Sequence, residues 1–300
     1  MINLIILNFG SCNIDYVYNV SEFVTAGETI SALSTSEHPG GKGLNQAVAA
    51  ARAGGSVFFA GNIGEDGLFL KELLESSGAD TKYLKINKAR TGNAIIQIDK
   101  DEENCIIVSA GANALLDEAY IKSVTANFAR GDICMLQNET PCTDFIINQA
   151  KACGMTVIWN PSPMNEKITD NAIGMCDYII VNKTEGKALT GKEEPEDILK
   201  ALLKEYPHTK TVLTLGKNGS IYSDGKNTVR QSAFKADPVD TTGAGDTFTG
   251  YFTAMISKGK TAAEALKTAS AAAALATEKQ GAASSVPPIA DVMDKINSEN

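Results

Sequence analysis

The segment 239–252, VDTTGAGDTFTGYF, sets two aspartates, Asp240 and Asp246, on either side of a glycine-broken turn. Past Ala244 the apolar residues Phe248, Tyr251, Phe252, Met255 and Ile256 recur at helical spacing, so a helix starts there. The N–H groups of Gly243, Ala244 and Gly245 then point out of its N-terminus and form a site for negative charge. Asp246 falls in the first turn, where the helix dipole favours a carboxylate. Such a carboxylate suits phosphoryl transfer: it accepts a hydroxyl proton while the N–H groups steady the transferred group. Helix capping alone would explain the acid but not the glycines around it.

Other segments offer polar groups at strand ends, where open parallel sheets bind ligands. In GSCNID (10–15), Asn13 and Asp15 stand two apart, on one side of an extended chain, as a polyhydroxyl ligand needs; an Asx turn reads these residues equally well. In PGGKGLNQAVAAA (39–51), Gly40, Gly41 and Gly43 allow close approach and a helix follows, with Lys42 and Asn45 near its first turn. Phosphate bound by the helix N-terminus and a sugar held by Asn, Lys and backbone are equal readings. Asn45 and Gln46 are polar where the helix has room to bury alanine. Glu139, in QNETP (137–141), follows the run DICML and on its own reads as an exposed loop acid.

Residues 186–192 spell G-x-x-x-x-G-K, but Glu193 stands where a P-loop needs Ser or Thr, and the interior KALT is helical. Asn182 and Glu185 just before it fit better, capping a helix where they can hold hydrated Mg2+ or nucleotide phosphates. TLGKNGS (214–220) presents a hydroxyl and two glycines after TVL, or a plain hairpin turn. No G-x-G-x-x-G follows the first strand, which counts against a dinucleotide enzyme.

The elements that position these residues follow from the pattern. LIIL, SVFFAG, DICML, TVIWN, YIIVN and TVLTLG read as strands buried on both faces. Helices are expected over 43–53, 67–76, 142–152, 184–190 and 195–206, and the Ala-rich 269–276 fits a tightly packed helix. Strands and helices alternating this way predict an α/β fold with a mostly parallel sheet between helical layers. Two stretches, 14–37 and 91–108, hold extended runs with no helix between them. They read as antiparallel strands, either a small separate lid or an edge extension of the main sheet. One domain spanning 1–300 results.

The chain has 300 residues, 43% hydrophobic, with net charge −9. Acidity and the lack of basic runs argue against nucleic acid. No apolar stretch reaches the ~18–20 residues that cross a bilayer, and the N-terminus reads as a strand and not a signal peptide. Six scattered cysteines fit a reducing, cytoplasmic setting. Only His38 and His208 are histidines, far apart, so acid–base work falls to a carboxylate.

GSCNID, GGKGLNQA, NKTE, TLGKNG, DTTGAGDTFTG and SSVP, in this order, resemble the signature segments of the ribokinase-like carbohydrate kinase family. The resemblance covers essentially the whole chain. It implies a three-layer α/β/α sandwich with a small β-sheet lid, and a homodimer through that lid. It implies ATP-dependent phosphorylation of D-ribose at its 5-hydroxyl, with a kinase for another sugar or a nucleoside as the alternative. By matched position, Asn13, Asp15, Gly41, Lys42, Asn45 and Glu139 would hold the sugar, and Asp246 would be the base. Gly243, Ala244 and Gly245 would form the anion hole. Asn182, Glu185, Thr214, Gly216 and Gly219 would follow the nucleotide phosphates, with Glu185 helping to position Mg2+. Asp240, Thr242, Ala276, Lys279, Gly281 and Ser285 would surround a monovalent cation, K+. Ser270 stands where related enzymes often carry a larger polar residue near the adenine. The lack of an aromatic cluster beside Asn13 or Lys42 favours a free sugar over a nucleoside. A non-enzymatic sugar sensor would have no use for Asp246.

Overall fold

The apolar runs form strands whose successive residues serve opposite faces, as the two-residue period requires. In β1 (Ile5–Phe9), Ile6 packs on one side and Leu7 on the other, both fully buried. The computed structural model describes residues 4–101, 103–165 and 168–299. After β1 come β2 (Asn13–Asn19), β3 (Ser34–Gly40), α1 (Lys42–Arg52), β4 (Ser56–Gly64), α2 (Leu68–Ser76) and β5 (Asp80–Asn87). Next are β6 (Gly92–Ile98), β7 (Asn104–Ser109), α3 (Glu118–Thr125), β8 (Ile133–Leu136), α4 (Thr143–Ala152) and β9 (Thr156–Trp159). Then α5 (Asp170–Met175), β10 (Tyr178–Asn182), α6 (Lys183–Thr190), α7 (Pro195–Glu205), β11 (Lys210–Thr214), β12 (Ser220–Ser223) and β13 (Thr228–Gln231) follow. The chain closes with α8 (Ala244–Ser257), α9 (Ala262–Thr277) and α10 (Ile289–Ser298).

Among the described residues the main sheet has nine strands in the order β13-β12-β11-β10-β9-β8-β1-β4-β5. From β5 to β11 neighbours run parallel, and β12 and β13 return antiparallel. One face carries α1, α2, α8, α9 and α10, packed on residues such as Ile6, Phe59, Met135 and Ile180. The other carries α3 to α7, packed on Leu7, Leu136, Trp159 and Val181. The expected three-layer sandwich is therefore present. The helix α9 is alanine-rich because it lies close against α8, with Ala265, Ala269 and Ala272 fully buried.

The second sheet is separate, in the order β3-β2-β6-β7. It is not an edge extension, and it is not purely antiparallel. Its central pair β2–β6 is parallel, in register from Asn13 opposite Gly92 to Asn19 opposite Ile98, while β3 and β7 pair antiparallel with them. The reason is topological. Both β2 and β6 leave the body outward, after β1 and β5, and each is followed by a returning hairpin partner. Among the described residues no helix is long and apolar enough to cross a membrane.

Candidate active site

The candidate residues gather beyond the carboxyl ends of β1, β8, β9, β10 and β11, where crossover connections leave a crevice. At the start of α1 the first turn meets the end of β1 so closely that a Cβ on Gly43 would overlap Ser11 and Gly10. The donors of this turn are already taken. Lys42 N donates to Glu139 Oε2 at 2.8 Å, Gly43 N to Ser11 Oγ at 3.2 Å and Leu44 N to Ser11 O at 2.9 Å. Ser11 Oγ also donates to Glu139. The glycine segment is thus closed to a phosphate by Glu139 and Ser11, which removes one of its two readings. Glu139, expected as a loop acid on its own motif, is an inward group that caps α1.

Around it lie further polar groups at the base of the small sheet. Asn13 accepts from Asn113 Nδ2 at 2.8 Å, and Asn113 also bonds both backbone groups of Cys12, so the turn into β2 is fixed. Asp15 lies against Gly40 on the neighbouring strand, where any Cβ would overlap its carboxylate. Burial, and then the charge of Glu139, push the Asp15 carboxyl up to about 7. Burial also raises Glu139, against the bonds from Ser11 and Lys42 that favour its charge. The Lys42 ammonium is raised by Asp246 above all, against burial, with help from Glu139 and Glu185. The registers beside Asn13 and Asp15 hold Gly92 and Ala94 on β6 and Gly40 and His38 on β3, with no Phe, Tyr or Trp.

Asp246 is buried in the first turn of α8. Asn45 Nδ2 donates to its Oδ2 at 3.0 Å and Gln46 Nε2 to its Oδ1 at 2.9 Å. Asn45 Oδ1 is buried without a partner among the described residues, so Asn45 can bind the base with one end and accept a hydroxyl with the other. Gly243 precedes the helix at φ 74°, and a Cβ there would come within 2.7 Å of Ala282 Cβ; only glycine fits. Gly245, by contrast, faces open space. The Ala244 N–H makes a long 3.3 Å turn bond to Thr241 O, so it is not wholly free as the sequence suggested.

Asp246 lines a cleft of about 230 Å³ with Lys42, Asn160, Ser162, Asn182, Glu185, Thr214, Gly243 and Gly245. Asn182 and Glu185 form a reciprocal capping box on α6, at 2.8 and 2.9 Å, as their spacing implied. Thr214 and Gly245 are shared with a second, mostly apolar hollow of about 640 Å³. Gly216, Gly219, Phe234, Phe248, Ser270 and Ala274 line it. The KNG stretch is at once the turn between β11 and β12 and part of this wall. Ser270 is buried there, its Oγ 3.4 Å from Ser220 Oγ, and small residues on α9 leave the space open.

Behind the α8 N-terminus, Asp240 braces two loops. Its Oδ1 accepts from Thr242 N at 2.8 Å and its Oδ2 from Gly281 N at 2.9 Å. Burial opposes its charge, but these bonds hold the carboxyl below its usual range. Ala276 O accepts from Lys279 N at 3.3 Å, and Ser285 Oγ donates to Ala282 O at 2.9 Å. Among the described residues no cluster of three His, Cys, Asp or Glu groups could hold a metal ion. Any cation here would rest on carbonyls, one hydroxyl and one carboxylate, oxygen donors of the kind a hard cation takes.

Sequence reasoning singled out most of these groups but gave no role to Ser11, Asn113, Gln137, Asn160, Ser162 or Phe248. The polarity of Gln46 on an alanine-rich helix was one signal of a buried polar partner.

A buried carboxylate at a helix N-terminus, lining a polar cleft that shares Thr214 and Gly245 with an apolar slot, on a three-layer α/β fold, fits a small-molecule kinase. Residues 5–289 match the pfkB family carbohydrate kinases. The chain is 36% identical over 288 residues to a ribokinase of Haemophilus influenzae, covering 93% of this chain and 94% of that one. It is 33% identical over 293 residues to a ribokinase of Bacillus subtilis, covering 96% and 98%. The structure of Arabidopsis thaliana ribokinase complexed with ribose and ATP superposes with a TM-score of 0.87 at 31% identity, covering 99% of each chain. The chain belongs to the pfkB family of carbohydrate kinases.

Proposed function

We propose that this kinase phosphorylates D-ribose at the 5-hydroxyl with ATP, and that Asp246 is the base. The observation that carries the reading is the position of Asp246. It lines the cleft of about 230 Å³ beside Lys42, is held there by Asn45 and Gln46, and this cleft shares Thr214 and Gly245 with the apolar slot. The ribokinase relatives, including one complexed with ribose and ATP, support the choice of substrates. The sugar rests on Asn13, Asp15, Gly41, Lys42, Asn45 and Glu139. Its 5-hydroxyl oxygen attacks the γ-phosphorus and gives its proton to Asp246, while the bond from that phosphorus to the ADP oxygen breaks. The backbone at Gly243, Ala244 and Gly245 meets the charge of the transferred group, with Lys42 beside it. Adenine takes the apolar slot by Ser270, and the phosphates run past Thr214, Gly216 and Gly219 toward Asn182 and Glu185.

Glu185 would help to hold hydrated Mg2+, which would supply charge neutralisation to the nucleotide phosphates. Asp240, Ser285, and the carbonyls of Thr242, Ala276, Lys279 and Gly281 are the oxygens available to K+, which would order the loop that carries the anion hole. The small residues Gly92 and Ala94 beside Asp15 favour a free sugar over a nucleoside, whose base needs an aromatic or apolar slot.

Asp246→Asn should lower kcat by about 10²–10⁴-fold while sugar binding survives. A variant keeping more than about a tenth of wild-type kcat would remove the base assignment. Rates measured across pentoses, hexoses and nucleosides, with and without potassium, test substrate and cation together.

A further inference from the structure

Asp246 is held by a chain of buried carboxamides whose direction is set by backbone at both ends. Gln46 Nε2 donates both to Asp246 Oδ1, at 2.9 Å, and to Asn160 Oδ1, at 3.0 Å. Gln46 Oε1 accepts from Gln137 Nε2 at 2.7 Å, and Gln137 Nε2 also donates to Asn8 Oδ1 at 3.1 Å. The chain ends on two carbonyls. Asn8 Nδ2 donates to Gly43 O at 2.9 Å, and Asn160 Nδ2 to Ile180 O at 2.8 Å.

A carbonyl only accepts, so it fixes which end of each amide faces it. Gly43 O draws the nitrogen of Asn8 and turns the Asn8 oxygen toward Gln137. Gln137 must then present its nitrogen to Asn8 and to Gln46 Oε1. Ile180 O draws the nitrogen of Asn160 and turns its oxygen toward Gln46. Both constraints leave Gln46 one orientation, nitrogen toward Asp246. Gln46 is fully buried, on a helix whose neighbours Ala47, Ala49 and Ala50 are also fully buried. An apolar residue at this position would spare the desolvation of an amide. Asn45 holds the other oxygen of Asp246, so donors on both oxygens fix the carboxylate plane.

We propose that Gln46 is a positioning residue for phosphoryl transfer, aiming the carboxylate of Asp246 at the sugar hydroxyl through an amide chain anchored at Gly43 and Ile180. This inference rests on Asp246 being the base. The charged groups facing the same carboxylate are Lys42 on α1, Glu139 after β8 and, across the cleft, Glu185 on α6. All three side chains are retained in the Gln46 variants.

The test compares Gln46→Met, close in length but without a donor, with Gln46→Glu, which sets a carboxylate against Asp246. Both are measured beside wild type and Asp246→Asn, with kcat and both KM values followed across pH. The expected result is a kcat at least about tenfold lower for Gln46→Met, with sugar and ATP KM within about twofold. The acid limb of its kcat profile should move to higher pH, because a lost donor disfavours the charged base, and Gln46→Glu should move it further. Where either variant fails to fold, Gln137→Met, which removes the donor to Gln46 and to Asn8 but leaves the Gln46 amide beside Asp246, should give a smaller change in the same direction. A uniform loss with an unmoved acid limb, or a kcat within about twofold of wild type, overturns the proposal while an inactive Asp246→Asn leaves the base in place. An active Asp246→Asn removes the base reading and this inference with it.

Discussion

Asp15 is a carboxyl group whose titration is moved toward neutral pH. It lies against Gly40 of β3, and burial, with Glu139 adding repulsion, pushes its carboxyl up to about 7. The folded chain therefore keeps a proton that the unfolded chain releases near pH 4. The stability this group contributes is full below about pH 4, falls as pH rises toward 7, and is flat above. For the proposed sugar contact the sign is opposite, because an ionised carboxylate only accepts hydroxyl protons and the protonated acid gives up part of that capacity. Sugar KM should fall as pH is raised from about 6 to 8 while ATP KM stays level. Asp15→Asn should raise sugar KM and remove its pH dependence; a wild-type sugar KM flat over this interval would mean the sugar does not meet Asp15. Glu139→Ala should weaken sugar binding more than ATP binding. It should also lower Tm, because Glu139 caps α1 through Lys42 N.

At the scale of elements, the start of α8 separates two kinds of glycine. Gly243→Ala forces φ 74° on a residue with a Cβ and drives that Cβ into Ala282, so it should cost roughly 1–3 kcal/mol and a large part of kcat. Gly245→Ala meets no neighbour and improves helix propensity, so thermal stability should hold or rise while kcat falls, since the methyl enters the cleft. Equal Tm losses in the two would contradict this division. The α8 start was legible in sequence because glycines, acid and apolar period coincide within 239–252. The strands around LIIL and YIIVN were legible because both their faces are buried. β5, DTKYLKIN, was not read as a strand, because its charged residues interrupt the apolar run. The parallel β2–β6 pair was hidden because it joins segments about 80 residues apart, and sequence period says nothing of partner or direction. The contacts that fix Asp246 were hidden for the same reason: Asn45 and Gln46 lie 201 and 200 positions from it, and Gln46 lies 114 from Asn160. Polarity at position 46 signalled a partner without naming it.

At the scale of the whole molecule, the small sheet leaves one matter open to solvent. Its edge strand β7 is exposed throughout, and Ile106, Ile107 and Val108 stand 50, 61 and 64% exposed, with Ile95 beside them on β6. Three consecutive aliphatic residues on an unpaired edge are what isolated chains avoid, since such an edge templates pairing with another strand. A second copy covering the face that Ile107 shares with Ile95 would bury those two side chains and stiffen the strand pair that carries Asn13 and Asp15. A homodimer is the expected state, with twice the 31.7 kDa of one chain by light scattering at micromolar concentration. Ile107→Asp, placing charge in that contact, should yield monomers. Because Ile107 pairs with Ile95, whose strand adjoins β2, the loss should reach the sugar side first. Sugar KM should then rise several-fold, on the order of the 5–150-fold range of coupled sites, while ATP KM changes little. A wild-type protein that runs as a monomer, or an Ile107→Asp variant that stays dimeric with unchanged sugar KM, would detach the small sheet from assembly.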